Sequence, residues 1–214
     1  MVLKGLNIDG VIKVDNARVY GLEESIVASG YPMQTYTVDL DELEILDEEI
    51  ITKKDLKRVK HLGNAVAGSG HDCFLKGIIV QFDLQVPEYI WRQLDRYHFI
   101  DYISSQSKMH RITKINLDSV CNRYVYDEVK EILKSIIDKY EAETDTDKKK
   151  ELFNKIIANT PAGLMLTARM TTNYLQLKSI INQRSNHKMQ EWRYLCDWFK
   201  TLPMFEELVC KSRC

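Results

Sequence analysis

Residues 77–86 carry the clearest strand pattern of this chain, and they lie among segments of helical periodicity. The pattern from Gly77 to Val86 begins with β-branched residues and then alternates between apolar and polar ones. Pro87 ends it and suits the first turn of a following helix. Val11 to Tyr20 alternates well enough for a further strand. The chain is therefore predicted to be α+β and mostly helical, with a small antiparallel sheet in its N-terminal half.

Helical patterns account for most of the remaining sequence. The predicted helices cover Glu23 to Ser29, Thr52 to about His61, Leu117 to Tyr140, Glu151 to Ala158, Ala162 to Gln183, and Met189 to Leu202. A charged turn is predicted over residues 141–150 and a small-residue linker over 63–70, and the acidic segment 39–49 is interpreted as a solvated loop. The length of 214 residues favours one domain spanning 1–214.

Composition excludes several classes of function. The formal net charge of -1 gives no overall basic field for gripping nucleic acid, so an anion has to be recognised locally. No apolar run approaches the length of a membrane span, and no signal-peptide pattern is present. Five scattered cysteines indicate reduced thiols in the cytoplasm. We predict no metal site, because Cys210 and Cys214 have too few companion ligands and the histidines lack metal-binding spacing.

Two polar, basic stretches, Trp91–Arg111 and Asn173–His187, mix Arg, His, Gln, Ser and Asn with aromatic residues. Arginine provides a planar, permanently charged fork, and hydroxyls and amides provide directional donors. A phosphate group and a heteroaromatic base need this combination. The two stretches therefore predict a nucleotide site assembled from distant segments.

The second stretch allows two interpretations. Helical spacing would place one set of polar and apolar residues on a single face, namely Arg169, Asn173, Gln176 or Leu177, Ile180 and Arg184. Arginines on an apolar helix need partners, because buried charge is costly. They are either salt-bridged to acidic helices, or Arg184 holds an anion together with the first stretch. Composition alone does not separate these alternatives.

In the first stretch, Gln93 and Arg96 are one helical turn apart directly after a strand. The run Ser104–Ser107 then supplies hydroxyls and an amide in a predicted loop, although such a run on its own is more often a plain surface loop. His98, His110 and His187 are candidates for contacts with a base or a flavin, whereas a lone histidine is more often structural. The sequence has no GxSxG, P-loop or GxGxxG motif, so an enzyme here would rely on an organic cofactor.

Three blocks between residues 68 and 193 together resemble the flavin-dependent thymidylate synthases (the ThyX family). Gly70-His71-Asp72-Cys73-Phe74-Leu75-Lys76-Gly77 is similar to that family's Gly-His-x-Ser-x-x-Glu-His block. Arg92-Gln93-Leu94-Asp95-Arg96-Tyr97-His98 and the Ser/Gln run after it are similar to its Arg-Gln-x-x-Arg-His-Arg motif and the serines that follow. Asn173 through Arg184, with His187, is similar to its C-terminal helix.

The blocks also depart from the family pattern. Lys76 and Gly77 replace the family's Glu and flavin-facing His, and Arg96-Tyr97-His98 replaces its Arg-His-Arg core. The family's later Ser-x-Arg falls on Ser107 and Met109 with a one-residue insertion, or on Gln106 and Lys108 without it. Asn173-Tyr174-Leu175-Gln176 lacks the family's Arg. The resemblance is therefore to a divergent branch of the phage type, which would act in the host cytoplasm.

The resemblance implies a ThyX-like fold and a homotetramer with sites shared between subunits. It implies FAD as hydride carrier, dUMP as the pyrimidine nucleotide that accepts one carbon, and NADPH and methylenetetrahydrofolate as co-substrates. Arg184 would be the catalytic electrostatic group. The implied nucleotide-binding residues are Gln93, Arg96, Ser104, Ser105, Gln106, Ser107, Lys108 and Arg184. The implied cofactor-binding residues are His71, Cys73, Tyr97, His98, Asn173 and His187.

Three hypotheses follow from the sequence. The first is an enzyme of flavin-dependent one-carbon transfer, by methylation or hydroxymethylation, to a pyrimidine deoxynucleotide. The second is an inactive binding module that kept the nucleotide pocket and lost the flavin, which Gly77 and the altered Arg-His-Arg core favour. The third is a helical interaction protein without a small ligand.

Overall fold

The computed structural model describes residues 3–34, 51–66 and 69–209, so the acidic segment 39–49 and the pair Cys210 and Cys214 lie outside the described residues. Within that part, one antiparallel sheet forms the centre, with the strand order β1-β2-β3-β5-β4. The strands are β1 (Leu6–Ile8), β2 (Ile12–Tyr20), β3 (Ile79–Pro87), β4 (Ile100–Ser105) and β5 (Met165–Asn173). Helices surround this sheet, and the predicted α+β class is confirmed.

The helices of the described part differ widely in length. They are α1 (Leu22–Ala28), α2 (Lys53–Gly63), α3 (Glu88–Leu94), α4 (Lys108–Arg111), α5 (Leu117–Val120), α6 (Asp127–Ala142), α7 (Thr146–Ala158), α8 (Tyr174–Arg184), α9 (Gln190–Lys200) and α10 (Phe205–Val209). Short 3-10 turns occur at Tyr31–Met33 and Cys73–Lys76. Across residues 3–34, 51–66 and 69–209, no helix is both long and apolar enough to cross a bilayer.

Strand β3 organises the main core. Its residues alternate between buried and half-buried, so that Val80, Phe82 and Leu84 point to one face of the sheet. The ring of Phe82 lies 5.1 Å from that of Trp198 and 6.2 Å from that of Phe199. These aromatic contacts pack α9 against the sheet, as the amphipathic pattern of residues 189–202 requires.

A second, smaller apolar cluster lies under the helices α5 to α7. It contains the fully buried residues Leu133, Ile156 and Leu164. The partly buried Leu166 of β5 packs against both this cluster and the main core. A single domain over residues 1–214 stays a prediction.

Local sequence signals predict several elements correctly. Strands β2 and β3 and helices α1 and α9 lie close to their predicted ranges. Helix α2 begins as expected, because the Thr52 side chain accepts from the Asp55 backbone N–H and the Asp55 carboxylate accepts from that of Thr52. Pro87 ends β3 and stands immediately before α3 as its cap.

The single helix predicted over Leu117–Tyr140 is wrong. In the structure this part of the chain forms two helices, α5 and α6. They are separated by an extended segment whose Cys121 forms a β-bridge with Leu164. The buried Asn122 side chain stabilises the break, since it donates to the Tyr89 hydroxyl at 2.9 Å and accepts from the Tyr124 backbone N–H at 3.1 Å. A tertiary contact thus interrupts a continuous helical pattern.

The predicted charged turn over residues 141–150 is too long. Helix α6 continues to Ala142, and α7 already begins at Thr146. Asp145 caps α7, because its carboxylate accepts from the backbone N–H groups of Asp147 and Lys148. Only residues 143–145 separate the two helices, so they form a tight hairpin.

The long helix predicted over Ala162–Gln183 is also wrong. Residues 165–173 form β5, which pairs with β3 on one side and β4 on the other, and only α8 is helical. Asn173 marks the change, because its side chain accepts from the Gln176 backbone N–H at 2.9 Å and caps α8. Strand β5 brings the C-terminal half into the sheet, which was predicted only for the N-terminal half.

Candidate functional site

Arg184, the last residue of α8, is half-buried and lies against two neighbouring aromatic rings, those of Tyr97 and Trp192. Its guanidinium carbon is 4.8 Å from the centre of the Trp192 ring and 5.4 Å from the centre of the Tyr97 ring. Cation–π attraction at both rings stabilises one position of the fork. The helices α8 and α9 and the segment after α3 therefore meet around a rigidly held positive charge.

The hydrogen bonds of Arg184 leave part of its fork unused. Its Nε donates to the Tyr97 hydroxyl at 2.6 Å, and its Nη1 lies 3.4 Å from the Gln93 amide oxygen. The same Gln93 oxygen also accepts from the Trp192 indole at 2.9 Å. Among the described residues nothing accepts from Nη2, and a guanidinium carries five N–H donors. Arg184 can thus still bind an acceptor in its plane.

We call Arg184, Tyr97, Gln93 and Trp192 the Arg184 cluster. A cleft of about 760 Å³ lies next to it. It is bounded by the segment around Cys73 and by the first three turns of α8. Gln183 connects the cleft with the Arg184 cluster, since it lines the cleft and accepts from the Tyr97 hydroxyl at 3.1 Å. The cleft lining includes Gly70, Cys73, Lys76, Asn173, Ser179 and Gln183. Its surface is largely apolar with several amides, as suits a flat heteroaromatic ring.

A buried ion pair fixes the geometry of the cleft wall. Lys178 on α8 donates to Asp72 at 2.6 Å and to the backbone carbonyls of Gly63 and Ala65 at 2.8 and 2.9 Å. The two side chains are only 8% and 3% exposed. All three ammonium hydrogens are used, so Lys178 binds the segment around Asp72 to α8 and has no donor left for a ligand.

Some of the residues singled out in the sequence meet in this region. Gln93, Tyr97 and Arg184 are in direct contact, and Cys73 and Asn173 line the adjoining cleft. The Asn173 side chain is already used in capping α8.

His187 also belongs to the Arg184 cluster. Its ring lies 6.3 Å from that of Trp192, and its Nδ1 accepts from the Met189 backbone N–H at 3.1 Å. Burial, reinforced by the positive charges of Arg184 and Arg193, lowers the pKa of His187. The neutral imidazole is therefore the favoured form beside Arg184.

The Ser/Gln run lies elsewhere in the chain. Ser104 and Ser105 belong to β4, not to the loop that the sequence predicted, because this segment pairs with β5. Between Thr172, opposite Ile100, and Ala168, opposite Ser105, β5 rises about 13 Å. The run therefore begins well away from the Asn173 end of the sheet, where the cleft lies.

Neighbouring polar groups occupy the rest of that run. The Gln106 oxygen accepts from the Thr167 backbone N–H at 3.1 Å and from Arg111. Lys108 forms an ion pair with Glu88 at 3.1 Å, and Ser107 is exposed. Among the other sequence candidates, His71, Arg96 and His98 are exposed side chains. Within one chain, none of these residues is hydrogen-bonded to Arg184.

The prediction that Arg169, Asn173 and Arg184 share a helix face is wrong. Arg169 lies on β5, where it contacts Asp83 at 3.2 Å and donates to the Asn16 carbonyl at 2.8 Å. For Arg169 the salt-bridge interpretation therefore holds, with a partner in the sheet instead of an acidic helix. For Arg184 the structure shows no carboxylate partner among the described residues.

Sequence reasoning missed the buried pair of Lys178 and Asp72, because a lysine in a polar helical stretch is normally solvated. It also gave no role to Ser179 and Gln183, although their i, i+4 spacing in the second polar stretch was visible. In the described part of the chain, no three His, Cys, Asp or Glu side chains are grouped closely enough to hold a metal ion.

The fold is similar to that of flavin-dependent thymidylate synthases. A crystal structure of the flavin dependent thymidylate synthase ThyX from Helicobacter pylori complexed with FAD and dUMP superposes with a TM-score of 0.62 at 12% identity, covering 90% of this chain and 95% of that one. A second structure of the Helicobacter pylori enzyme with FAD and dUMP gives a TM-score of 0.63 at 12% identity, covering 90% and 94%. No family model and no curated protein matches the sequence. At this identity the likeness establishes a ThyX-like fold, as the three sequence blocks implied.

Proposed function

We propose that this chain binds a pyrimidine deoxynucleotide such as dUMP beside Arg184 and acts in flavin-dependent one-carbon transfer to it. The transfer would be a methylation or a hydroxymethylation, and it would serve thymidylate or modified-nucleotide synthesis. As a phage protein, the chain would act in the cytoplasm of the host cell. The observation that carries the proposal is the position of Arg184, held against Tyr97 and Trp192 beside a cleft of about 760 Å³.

The free edge of Arg184 suits an acceptor-rich ring. The N–H groups of a guanidinium donate in its own plane, which selects a coplanar carbonyl or carboxylate oxygen. A positive charge held there without later rearrangement stabilises negative charge that develops on a pyrimidine ring. Arg184 would thus both bind the nucleotide and serve as the catalytic electrostatic group.

The cleft fits the ring system of FAD better than its pyrophosphate. Phe99 and Leu175 give it apolar walls, and Asn182 offers an amide to a ring edge. The lining contains two lysines, of which Lys178 is fully used by Asp72 and two carbonyls. When bound, FAD would supply the hydride chemistry. Only the family resemblance implies that NADPH and methylenetetrahydrofolate are co-substrates.

A homotetramer with shared sites would account for the distant Ser/Gln run. Ser104 to Lys108 cannot reach Arg184 of their own chain because β4 carries them away from the cleft. A second copy could place the same residues against the nucleotide phosphate. Mixing an Arg184→Ala variant with a Ser107→Ala, Lys108→Ala variant tests this. Activity in the mixture, but in neither variant alone, would support shared sites.

The alternative is a ThyX-like module that binds the nucleotide and has lost the flavin. Lys76 and Gly77 favour it, since the family's Glu and flavin-facing His would stand there. Under this alternative, dUMP raises the melting temperature while FAD does not, because only a ligand of the native state stabilises it.

The first experiment is a visible absorption spectrum of the purified protein, before and after addition of FAD and gel filtration. A retained flavin spectrum supports the enzyme, and dUMP-dependent flavin oxidation is then the next assay. A colourless protein that dUMP still stabilises supports the binding module. If neither ligand changes the spectrum or the melting temperature, the proposal is wrong.

An Arg184→Ala variant tests where the nucleotide binds. We expect it to abolish dUMP binding, because water cannot replace an in-plane contact to a held guanidinium. Arg92→Ala is a matched control, since Arg92 is an exposed arginine on α3 that contacts Glu88. Equal loss of dUMP binding in both variants would show that Arg184 has no specific role in the nucleotide site.

A further inference from the structure

A continuous chain of hydrogen bonds connects Arg184 with the wall of the cleft. Arg184 Nε donates to the Tyr97 hydroxyl at 2.6 Å, and that hydroxyl donates to the Gln183 amide oxygen at 3.1 Å. The Gln183 amide nitrogen then donates to the Ser179 hydroxyl oxygen at 3.0 Å. We call these four residues the Arg184–Ser179 chain. Its last two members line the cleft.

The first member determines the direction of the whole chain. A guanidinium has donors only, so the Tyr97 oxygen must accept and its single proton is directed onward. The Gln183 oxygen receives that proton, which turns the amide NH₂ group toward Ser179. The Ser179 oxygen accepts in turn, and its own proton remains free to donate.

The direction of the chain decides what the cleft offers a ligand. The second N–H of Gln183 is a donor that no described residue uses, whereas the Ser179 hydroxyl can still donate or accept. A ring edge placed against the Gln183 amide nitrogen must therefore carry an acceptor, such as a carbonyl oxygen. An amino group at that position would face this donor and leave it unpaired, at a cost in binding.

We propose that Tyr97 is a positioning residue that fixes the Gln183 amide nitrogen as a donor, so that the cleft selects a ring edge bearing a carbonyl over one bearing an amino group. The inference rests on the proposed function, because it assumes that the pyrimidine bound beside Arg184 reaches Gln183 and Ser179, while the apolar walls at Phe99 and Leu175 are left for the ring system of FAD. It assigns the choice between a 4-oxo and a 4-amino pyrimidine to residues outside the Arg184 contact. Tyr97 acts on this choice through Gln183, and its bond from Arg184 Nε sets the direction in which its hydroxyl donates.

The solvent exposure of its members supports an active role for the Arg184–Ser179 chain. Gln183 is exposed and Tyr97 and Ser179 are half-buried, so the fold does not need these polar contacts to satisfy a closed core. Solvent alone would leave an exposed glutamine amide free to turn either way. Tyr97 removes that freedom on the side where the cleft opens.

The first test needs no ligand. The side-chain amide signal of Gln183 is identified in a ¹⁵N–¹H NMR spectrum by its loss in Gln183→Leu. Tyr97→Phe, which removes only the hydroxyl, should shift that signal. Tyr102→Phe is the matched control, because the Tyr102 hydroxyl donates to Asp95 on the exposed edge of the sheet. An unchanged Gln183 signal in Tyr97→Phe would overturn the inference.

The second test compares dUMP and dCMP by calorimetry. These nucleotides share the 2-oxo group and differ at position 4, which is oxo in dUMP and amino in dCMP, and at N3, which carries a proton only in dUMP. We expect the native protein to prefer dUMP by about tenfold or more, as one mispaired hydrogen bond implies. Tyr97→Phe should bring the ratio close to one, and Tyr102→Phe should leave it unchanged.

The outcomes separate the inference from the proposed function. Equal affinity of the native protein for both nucleotides overturns the inference and leaves nucleotide binding intact. A ratio that survives Tyr97→Phe also overturns it. If neither nucleotide binds while Tyr97→Phe still shifts the Gln183 signal, Tyr97 does orient Gln183 in the Arg184–Ser179 chain, but the proposed function is wrong.

Discussion

Replacement of Lys178 by methionine should be among the most damaging single changes on α8. The side chain is 8% exposed and makes three hydrogen bonds, one of them to the carboxylate of Asp72, which is 3% exposed. Methionine has a similar length and can fill the space. It leaves a buried carboxylate without a cation and two backbone carbonyls without donors.

The size of the effect follows from that unpaired charge. Removal of one partner of a buried ion pair costs about 3–5 kcal/mol. For a chain of this size, each kcal/mol lowers the melting temperature by about 2–4 °C, so a decrease of about 6–20 °C is expected. Asp72→Asn should cost less, because the amide oxygen can still accept from Lys178.

Urea unfolding followed by circular dichroism measures the change, with Lys150→Met as the matched control. Lys150 contacts Asp147 at 3.1 Å, but the two side chains are 71% and 92% exposed, so little change is expected. The double variant Lys178→Met, Asp72→Asn should recover part of the loss, because the unpaired charge is gone. A decrease below about 1 kcal/mol in Lys178→Met would refute the view that this pair holds the cleft wall.

Three further changes test neighbouring features. Burial and nearby arginines lower the pKa of His187 below 6.5, so the unfolded chain takes up the proton first. Stability should therefore fall as the pH decreases through 6.5 toward the lower folded pKa, and His187→Gln should flatten that slope in pH-dependent urea unfolding. Arg169→Ala should leave dUMP affinity unchanged in calorimetry, since Arg169 contacts Asp83 in the sheet; a loss of affinity would contradict this placement. Asn173→Ala should cost about 1 kcal/mol of unfolding free energy through loss of the α8 cap, measured by urea unfolding.

The elements that the sequence predicted correctly are those specified by adjacent residues. The capping box of Thr52 and Asp55 operates within four residues, and the alternation of β3 is a property of the strand itself. Such signals do not depend on what packs against them. They were sufficient for the α+β class, because they located both a strand and amphipathic helices.

Strand β5 could not be predicted in the same way. Its polar positions Thr167, Arg169 and Thr171 alternate, but each is explained by its partner in β3. Pairing with a strand about 80 residues earlier in the chain outweighs a local helical tendency. The break at Asn122 has the same origin, since its side chain binds a tyrosine on α3. Both errors arise where distant contacts override local periodicity.

The candidate site was only partly visible in the sequence for a related reason. The two polar stretches contained Gln93, Tyr97 and Arg184, and the fold does bring these residues into contact. Composition indicated that such side chains suit a nucleotide, but it could not indicate that the Tyr97 hydroxyl would occupy the Nε edge of Arg184.

That contact changes how the departures from the ThyX pattern are interpreted. At position 97, where the family has a histidine, the tyrosine forms one hydrogen bond to Arg184 and another to Gln183. The Trp192 ring lies against the same guanidinium, at 4.8 Å from its carbon. A residue that had simply drifted after loss of function would not be expected to complete such a network. Tyr97 therefore has a defined structural role beside Arg184, which is compatible with the nucleotide binding proposed above.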